Sequence, residues 1–281
     1  MASYNVKSAY NHGWNPSWFG CSKFGSDLIE AIELFQKKNG LKPDGFCGPK
    51  TFQLLNEQRE KKENVIICGL KHIPINHKVI LWRDEDNWSS QKGCYRESYE
   101  NRKVTLFVNH WDVCRKSSDT INILNKRNLS CHFLIDADPK ATIIQTMNTS
   151  HVAFHAGGRL WNNASIGVEI CNPYYIKYQD KRRPRRIVKG AKVHGNTMRD
   201  HLDFYPQQIK ALVKLWKAIH RAYKIPFQTP TKEDGSELGG VHRDSMNLKY
   251  SGFIHHYNLT SGKIDCGGLD LTKLINKITS R

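Results

Sequence analysis

A short C-terminal stretch of this chain carries several side chains that can bind a metal or move a proton. Between positions 252 and 268 stand two adjacent imidazoles, an ammonium, a carboxylate and a thiol: His255, His256, Lys263, Asp265 and Cys266. Two further candidates lie upstream, His110 at the end of an apolar run and Glu169 inside a strand-like segment. Two histidines, one aspartate and a glutamate that binds no metal are the parts of a hydrolytic zinc site, with one position left for water. The sequence therefore predicts a zinc-dependent hydrolase.

The gross composition limits the class of protein and the partners that suit it. At 281 residues, with 39% hydrophobic and 10% aromatic residues, the chain can bury a core and suits one medium domain plus a small one. Lysine and arginine number 43 against 26 acidic residues, a net charge of +17. Such a charge favours polyanionic partners, among them nucleic acid, anionic lipid and cell-wall polymers.

The cysteines and the N-terminus bear on where the chain folds. Its eight cysteines include no Cys-x-x-Cys pair, which argues against a zinc ribbon or a thioredoxin-type motif. We expect most of them to be free, buried thiols of a protein folded in a reducing compartment. Residues 1–10 have no charged segment followed by an apolar one, so we expect no signal peptide. No stretch reaches the ~18 apolar residues that a membrane span needs.

Residues 26–56 have the pattern of two helices joined by a turn. Apolar residues recur at three- to four-residue spacing from Leu28 to Phe35. The turn at 42–45, Lys-Pro-Asp-Gly, has suitable chemistry because proline sets φ and glycine supplies a positive φ. A second helix is predicted over 48–55. This pattern indicates a compact helical module.

From about Val65 the pattern changes to short apolar segments alternating with helices. Residues 104–108 form an apolar run typical of a strand covered on both faces. Further strands are predicted at 131–135, 142–145 and 165–170. One strongly amphipathic helix is predicted at 207–223. We predict an α/β (α+β) fold, with a central mixed β-sheet flanked by helices, and a small three-helix N-terminal domain. The charged run 57–64 is the predicted linker between domains at 1–60 and 65–281.

Glu169 lies in an unusual environment for a glutamate. Side chains alternate along a strand, so Glu169 shares one face with Ser165 and Gly167. Glutamate is disfavoured in strands, and Gly167 leaves space above the sheet beside it. Alone, Glu169 would suit a solvent-facing position on an edge strand. Beside the other motifs it is a candidate general base.

Five motifs occur in an order that carries a family resemblance. They are Phe107-Val-Asn-His110, Ser130-Cys-His-Phe-Leu-Ile135, Ala153-Phe-His155-Ala-Gly157, Asn163-Ala-Ser-Ile-Gly-Val-Glu169-Ile and His256 followed by Lys263-Ile-Asp265. Together they resemble the N-acetylmuramoyl-L-alanine amidase type 2 family, which includes the peptidoglycan recognition proteins. The N-terminal module resembles peptidoglycan-binding domain 1 through Phe35-Gln36, Gly40-Leu41, Asp44-Gly45, Gly48-Pro49 and Thr51. The whole chain thus resembles a modular bacteriophage endolysin.

The resemblance implies a Zn²⁺ ion held by three protein ligands. By position these are His110, His256 and Asp265. Two alternatives stay open, because His255 is adjacent to His256 and Cys266 could supply a thiolate in place of Asp265.

The resemblance also implies roles around that metal. Glu169 would be the general base, and Lys263 would stabilise the oxyanion while the amide between N-acetylmuramic acid and L-alanine of peptidoglycan is hydrolysed. His155, Gly157 and Asn172 would line the substrate groove. In the N-terminal module, the residues expected to contact the cell wall are Gln36, Asp44, Gly45 and Thr51.

The resemblance implies synthesis in the host cytoplasm and action on the cell wall after release through a holin-type pore. Two other functions stay open, a non-catalytic peptidoglycan receptor and a zinc peptidase that cuts within the stem peptide. The receptor is disfavoured because every candidate ligand and the base are present.

Two features have more than one interpretation. The basic segment 177–194 is either a solvated mobile loop or a contact for anionic envelope polymers. No recognition-helix, RRM or zinc-finger signature accompanies it, so we expect no nucleic-acid partner, and we expect a monomer. Cys131 stands where some family members carry a catalytic tyrosine, and it could assist the reaction or only pack.

Overall fold

The structure is a computed structural model that describes residues 1–58, 64–84, 86–100 and 102–280. Its α-helices are α1 (Ala2–His12), α2 (Ser26–Lys38), α3 (Pro49–Glu57), α4 (Ser117–Lys126), α5 (Arg159–Ala164), α6 (Pro206–Tyr223), α7 (Arg243–Met246) and α8 (Leu271–Thr279). Its strands begin with β1 (Val65–Cys68), β2 (Lys71–Pro74), β3 (Val79–Leu81), β4 (Tyr95–Arg96), β5 (Leu106–Trp111), β6 (Phe133–Ile135) and β7 (Ile143–Gln145). The remaining strands are β8 (Val152–Ala153), β9 (Ser165–Ile170), β10 (Ile187–Val188), β11 (Lys192–Val193), β12 (Asn196–Thr197), β13 (His201–Leu202) and β14 (Gly252–His255).

A six-stranded mixed sheet forms the centre of the larger domain, in the order β14-β5-β9-β6-β7-β3. The pairs β14–β5, β5–β9, β9–β6 and β7–β3 are parallel, and only β6–β7 is antiparallel. All six residues of β5 are buried, as expected for a strand covered on both faces. The predicted α/β (α+β) fold with a central mixed sheet is therefore confirmed.

Helix α6 covers one face of this sheet. Its buried stripe includes Leu212, Leu215, Trp216 and Ile219, each of which contributes about 1.5–3 kcal/mol when fully buried. A polar contact fixes its register, because the Trp216 indole donates to the side-chain oxygen of Asn109 at 3.2 Å.

The same asparagine joins two neighbouring strands. Its amide nitrogen donates to the carbonyl of Ile254 at 2.8 Å, so Asn109 holds β5 against β14 near the ends of both strands. A satisfied buried polar contact of this kind rigidifies its surroundings. The residues that follow, His110 on β5 and His256 after β14, are thereby held near each other.

The N-terminal module contains α1, α2 and α3 around its own apolar core, as the sequence predicts. That core includes Trp14, Leu28, Ile32, Cys47 and Phe52. Hydrogen bonds connect the module to the larger domain.

These bonds reach the C-terminal end of α1 from two places in the larger domain. The Trp82 indole donates to the carbonyl of Asn11 at 2.8 Å, and the Asn148 amide donates to the carbonyl of Tyr10 at 3.0 Å. Of the predicted linker 57–64, residues 59–63 lie outside the described residues.

Three further observations concern expectations from the sequence. The eight cysteines are all free thiols, six of them buried. Strands β10 and β11 of the basic segment pair with β13 and β12, which follow it in the chain. Among the described helices, none combines the length and the apolar character needed to cross a bilayer.

Candidate active site

Three candidate metal ligands converge at one edge of the central sheet. His110 lies on β5, His256 begins the short 3-10 helix after β14, and Asp265 lies in the loop before α8. Because β5 and β14 are parallel neighbours, their C-terminal ends bring the two histidines to the same edge. The Nδ1 atoms of His110 and His256 are 3.0 Å apart, and the Asp265 Oδ2 atom lies 3.0 and 3.1 Å from them.

The chemistry of these three donors fits a divalent metal such as zinc. Two imidazole nitrogens in contact can share at most one proton, whereas a cation would satisfy both nitrogens and the carboxylate together. Donors of a tetrahedral zinc ion lie about 3.3 Å from one another, which follows from bonds of about 2.0–2.1 Å. His256 also carries a buried Nε2 atom that has no hydrogen-bond partner among the described residues. The protein alone therefore leaves the polar groups of this cluster incompletely paired.

The protonation states of His110 and Asp265 suit metal binding. Burial, together with the nearby His256, lowers the pKa of His110 to about 4, so its imidazole is neutral at pH 7. Burial opposes ionisation of Asp265, but hydrogen bonds to the two histidines hold its pKa well below the ordinary value. A neutral imidazole and a carboxylate are the forms that bind a metal.

The adjacent His255 faces a different environment. Its Nε2 atom lies 3.0 Å from Glu237 Oε1, and its Nδ1 atom is 3.3 Å from the Cys266 backbone nitrogen, which donates to it. Its ring stacks on Tyr257 at 4.5 Å between centroids. Cys266 is fully buried in the main apolar cluster. Of the two alternatives left open by the sequence, neither joins the donor triad.

Glu169 lies beside this triad on the neighbouring strand. In the pairing of β5 with β9 it stands opposite His110. Its Oε2 atom is buried and has no hydrogen-bond partner in the part of the chain that the structure describes. Burial, with the nearby carboxylates of Asp112 and Asp265, raises its pKa well above the ordinary value, while Lys263 acts in the opposite direction. An unpartnered buried carboxyl in a cavity indicates a functional position.

His155 fills the space that Gly167 leaves above the sheet. A Cβ atom added at Gly167 would lie 2.6 Å from His155 Nδ1, so only glycine fits beneath this ring. His155 Nδ1 lies 3.0 Å from His110 Nε2, and His155 Nε2 lies 3.2 Å from Ser165 Oγ. Burial, and then the nearby imidazole of His110, lower the pKa of His155, which keeps it neutral. His155 thus orients His110 from behind, as outer partners of metal-binding histidines do.

Two adjoining cavities form a cleft over the site. The smaller, of about 260 Å³, is lined by the three donors, Glu169 and Lys263. The larger, of about 420 Å³, shares His155, His256 and Lys263 with it and extends past Gly157. Its rim also carries the cations Arg96 and Arg159, which the sequence motifs did not single out, although Arg159 directly follows Gly157-Gly158.

Asn172 does not line this cleft, which corrects the expectation that it contacts substrate. The side chain is fully buried. Its amide nitrogen donates to the carbonyl of Leu202 at 2.8 Å, and its oxygen accepts from the Tyr174 backbone nitrogen at 2.9 Å. A buried amide needs such partners. Asn172 therefore holds together the chain that follows β9.

Cys131 packs in the interior of the larger domain. Its side chain is fully buried. Burial, reinforced by the charge of Glu169, raises the pKa of its thiol far above the ordinary value. A neutral thiol at this position fits packing and gives no sign of a reactive group.

The four wall-contact candidates of the N-terminal module form one hydrogen-bonded network. Gln36 Nε2 donates to Asp44 Oδ1 at 3.0 Å and to Thr51 Oγ1 at 3.1 Å, and Gln36 Oε1 accepts from the backbone nitrogens of Asp44 and Gly45 at 3.0 Å. Gly45 has φ +70°, which agrees with the predicted turn.

Three of the four candidates, Gln36, Asp44 and Thr51, border a cleft of about 700 Å³. Tyr4, Leu41 and Phe46 also line this cleft. The tyrosine comes from α1, and no sequence motif drew attention to it. Because Gln36 and Thr51 are buried, their first effect is on the shape of this cleft.

The sequence pattern of the N-acetylmuramoyl-L-alanine amidase family matches residues 100–265, and that of a peptidoglycan binding domain matches residues 10–55. A comparison with curated proteins gave no match.

The comparison with solved structures gave several matches, three of which are described here. The N-acetylmuramoyl-L-alanine amidase LysC from Clostridium intestinale URNW is 16% identical, with 72% of this chain and 97% of that chain covered and a TM-score of 0.40. The Ph2119 endolysin from Thermus scotoductus MAT2119 bacteriophage Ph2119 is 15% identical, with 71% and 97% covered and a TM-score of 0.39.

The third is a complex of the N-acetylmuramyl-L-alanine amidase AmiD from E. coli with the substrate anhydro-N-acetylmuramic acid-L-Ala-D-gamma-Glu-L-Lys. It is 24% identical, with 50% of this chain and 55% of that chain covered and a TM-score of 0.32. The present chain thus spans little more than half the length of AmiD. Since the amidase pattern extends over more than half of its residues, this chain belongs to the N-acetylmuramoyl-L-alanine amidase family.

Proposed function

We propose that this chain is a zinc-dependent amidase of endolysin type. It hydrolyses the amide between the lactyl group of N-acetylmuramic acid and the L-alanine of the peptidoglycan stem peptide. The family supports amidase activity on peptidoglycan. The observation that carries the finer proposal is the contact of three metal-type donors beside a buried carboxyl with an unpartnered oxygen.

The proposed zinc ligands are His110, His256 and Asp265. Their donor atoms all lie within 4.8 Å of one another, and all three residues are buried. Zinc bound there would supply Lewis-acid chemistry, lowering the pKa of water and polarising the scissile carbonyl.

Glu169 is the proposed general base and acid. Its carboxylate accepts a proton from the attacking water and returns it to the nitrogen of the departing L-alanine. Base catalysis needs the ionised form, which the positive charge of Lys263 favours. A cation in the adjacent donor triad favours it further.

Lys263 is the proposed stabiliser of the negative charge that develops on the carbonyl oxygen. Its side chain lines both cavities of the cleft. Its backbone carbonyl lies 2.9 Å from His194 Nε2, so the hairpin of β11 and β12 supports the loop that carries it. An ammonium held at this place acts when charge forms in the transition state.

The larger cavity is the proposed groove for the substrate. Gly157, with φ +77° and no side chain, leaves the groove open at its exposed end. Arg96 and Arg159 give its rim a positive charge that suits the carboxylates of a stem peptide. His155 lines the same groove and supports His110 from behind.

The N-terminal module is the proposed anchor to the wall. The Gln36 network gives its cleft a fixed shape, and the apolar wall formed by Leu41 and Phe46 offers a surface for a sugar or peptide. In an endolysin, such a chain is made in the host cytoplasm and reaches the wall through a holin-type pore.

The decisive experiment uses purified peptidoglycan, turbidity and mass spectrometry of the released products. Wild type should release intact stem peptides with a new N-terminal alanine. Glu169→Gln should keep its zinc, measured by plasma mass spectrometry, and lose activity about 10²–10⁴-fold. The exposed Glu233→Gln is the matched control and should behave as wild type.

Other outcomes would select the competing functions. Cleavage within the stem peptide would identify a peptidase. A chain that holds zinc and binds the wall but releases nothing would be a receptor. Full activity of Glu169→Gln would remove the proposed base.

A further inference from the structure

A separate cavity of about 550 Å³ lies where the basic segment meets the loop that follows β5. Its lining includes four cationic and two aromatic side chains, Arg115, Lys177, Arg183, Arg185, Tyr178 and Tyr205. It shares no lining residue with the active-site cleft, yet Arg115 directly follows Cys114, which lines the smaller active-site cavity. The two cavities therefore lie on either side of one loop.

Two of the arginines are held in place before any ligand arrives. The guanidinium carbons of Arg183 and Arg185 lie 3.7 and 3.8 Å from the centre of the Tyr205 ring. Arg185 is only 6% exposed and donates to the carbonyls of Asp203 and Cys171 at 3.0 and 3.2 Å. A planar guanidinium can stack on an aromatic ring while its N–H groups remain free to donate at its edge.

The other two cations are exposed but are also directed by aromatic rings. Arg115 lies over Tyr178, with 4.5 Å from its guanidinium carbon to the ring centre. Lys177 Nζ lies 5.0 Å from the centre of the same ring. Both side chains therefore converge on one wall of the cavity.

The four cations of this cavity form no ion pair with a carboxylate in the part of the chain that the structure describes. None of the four cations has a carboxylate oxygen within 4.0 Å there. Asp180 also lines the cavity, and its carboxylate accepts a hydrogen bond from the backbone nitrogen of Arg182 at 2.9 Å. Like charges gathered in this way repel one another, and a bound anion would relieve the repulsion.

We propose that this cavity binds the phosphate group of an anionic cell-envelope polymer. Planar guanidinium groups match the several acceptor oxygens of phosphate. The volume exceeds that of one phosphate and leaves room for the polyol or sugar attached to it. The net charge of +17 favours such a polymer, which would be held beside the active-site loop. This binding site goes beyond the proposed amidase function and does not depend on it.

The test measures binding of a fluorescein-labelled glycerol phosphate oligomer of about ten units to the full chain, by anisotropy at fixed ionic strength. The double variant R115Q/K177Q should bind about tenfold more weakly, a loss of about 1.4 kcal/mol. K181Q/R182Q is the matched control, because it removes two charges from the same segment at exposed positions outside the lining. Its affinity should fall less than about twofold.

Several results would overturn the proposal. Equal weakening of both double variants would mean that only the overall charge attracts the oligomer. Equal competition by an oligoglutamate of the same charge would exclude phosphate selectivity, and equal competition by phosphatidylglycerol vesicles would indicate a lipid headgroup. Absence of binding would remove the site.

A second readout separates this proposal from the amidase mechanism. R115Q/K177Q should hydrolyse a small soluble muramyl peptide as fast as wild type, because neither residue belongs to the catalytic site. A loss of this activity in the variant would mean that the cavity serves the reaction itself, contrary to the proposal.

Discussion

The Gln36 network of the N-terminal module and the donor triad of the larger domain are both buried clusters of polar atoms, but their hydrogen bonding differs. Both the nitrogen and the oxygen of the Gln36 amide have partners within the module. In the triad, two imidazole nitrogens face each other, and none of the described residues forms a hydrogen bond with His256 Nε2. The first arrangement is complete without a ligand and stabilises a turn. The second is incomplete, and this difference distinguishes a structural motif from a chemical one.

The largest expected effect comes from removing one charge from the triad. Asp265→Asn should lower bound zinc from one ion per chain to a small fraction and reduce wall hydrolysis at least about 10³-fold, because an amide oxygen is a poor substitute for a carboxylate ligand. Zinc content by plasma mass spectrometry and stem-peptide release measure the two effects. If the variant kept zinc with wild-type affinity, the triad would not be the metal site.

The Gln36 network predicts the opposite pattern of effects. Gln36→Ala should destabilise the module by about 2–4 kcal/mol, because it leaves buried donors and acceptors unpaired. Zinc content and hydrolysis of a soluble muramyl peptide should not change. Hydrogen exchange of the module and denaturant unfolding provide the measurement. The exposed Gln53→Ala on α3 is the control, and equal losses in both variants would contradict the network's role.

His151 offers an intermediate case, since it is buried near the cleft yet hydrogen-bonded. Its Nδ1 atom lies 3.1 Å from the Ser98 nitrogen, and burial lowers its pKa to about 4. Between pH 6.5 and 4 the unfolded chain therefore binds a proton that the folded chain does not. The contribution of His151 to the free energy of unfolding is therefore fully present above pH 6.5. It decreases by about 2–3 kcal/mol as the pH falls toward 4.

Unfolding by urea at pH 7.0, 5.5 and 4.5 measures this slope. His151→Asn should make the dependence less steep by that amount. Identical slopes for the variant and wild type would show that His151 titrates normally in the folded chain.

The smallest expected effect concerns Glu237, which accepts from His255 and from the backbone nitrogen of Leu271. Glu237→Gln should weaken zinc binding about tenfold, because His255 then orients His256 and the Asp265 loop less firmly. Competition with a zinc chelator measures the affinity, and Glu233→Gln is again the control. An unchanged zinc affinity would make Glu237 a purely structural residue.

The sequence could identify the residues of the triad because each belongs to a short local motif. It could not choose between His255 and His256 by strand alternation. Strand β14 ends at His255, and the chain enters a 3-10 helix at His256, so period-two alternation stops between them. His255 instead forms a hydrogen bond with Glu237. Glu237 lies in a stretch of sequence without periodicity, so no pattern predicted this contact.

The expectation that Asn172 contacts substrate was wrong, and Arg185 in the basic segment is buried for the same kind of reason. The family resemblance placed Asn172 in the substrate groove, and one of the two interpretations of residues 177–194 was a solvated mobile loop. Whether a side chain is buried depends on tertiary packing, and the residues next to it in the sequence do not determine that packing. Asn172 and Arg185 are both buried, and both bond to backbone carbonyls.

The glycine at position 167 has a practical consequence for engineering. A methyl group there would occupy the place of the His155 ring, and shrinking His155 alone would leave an empty space behind His110. A library that varied either position singly would score both as intolerant. Positions 155 and 167 should therefore be randomised together, as a single combinatorial site.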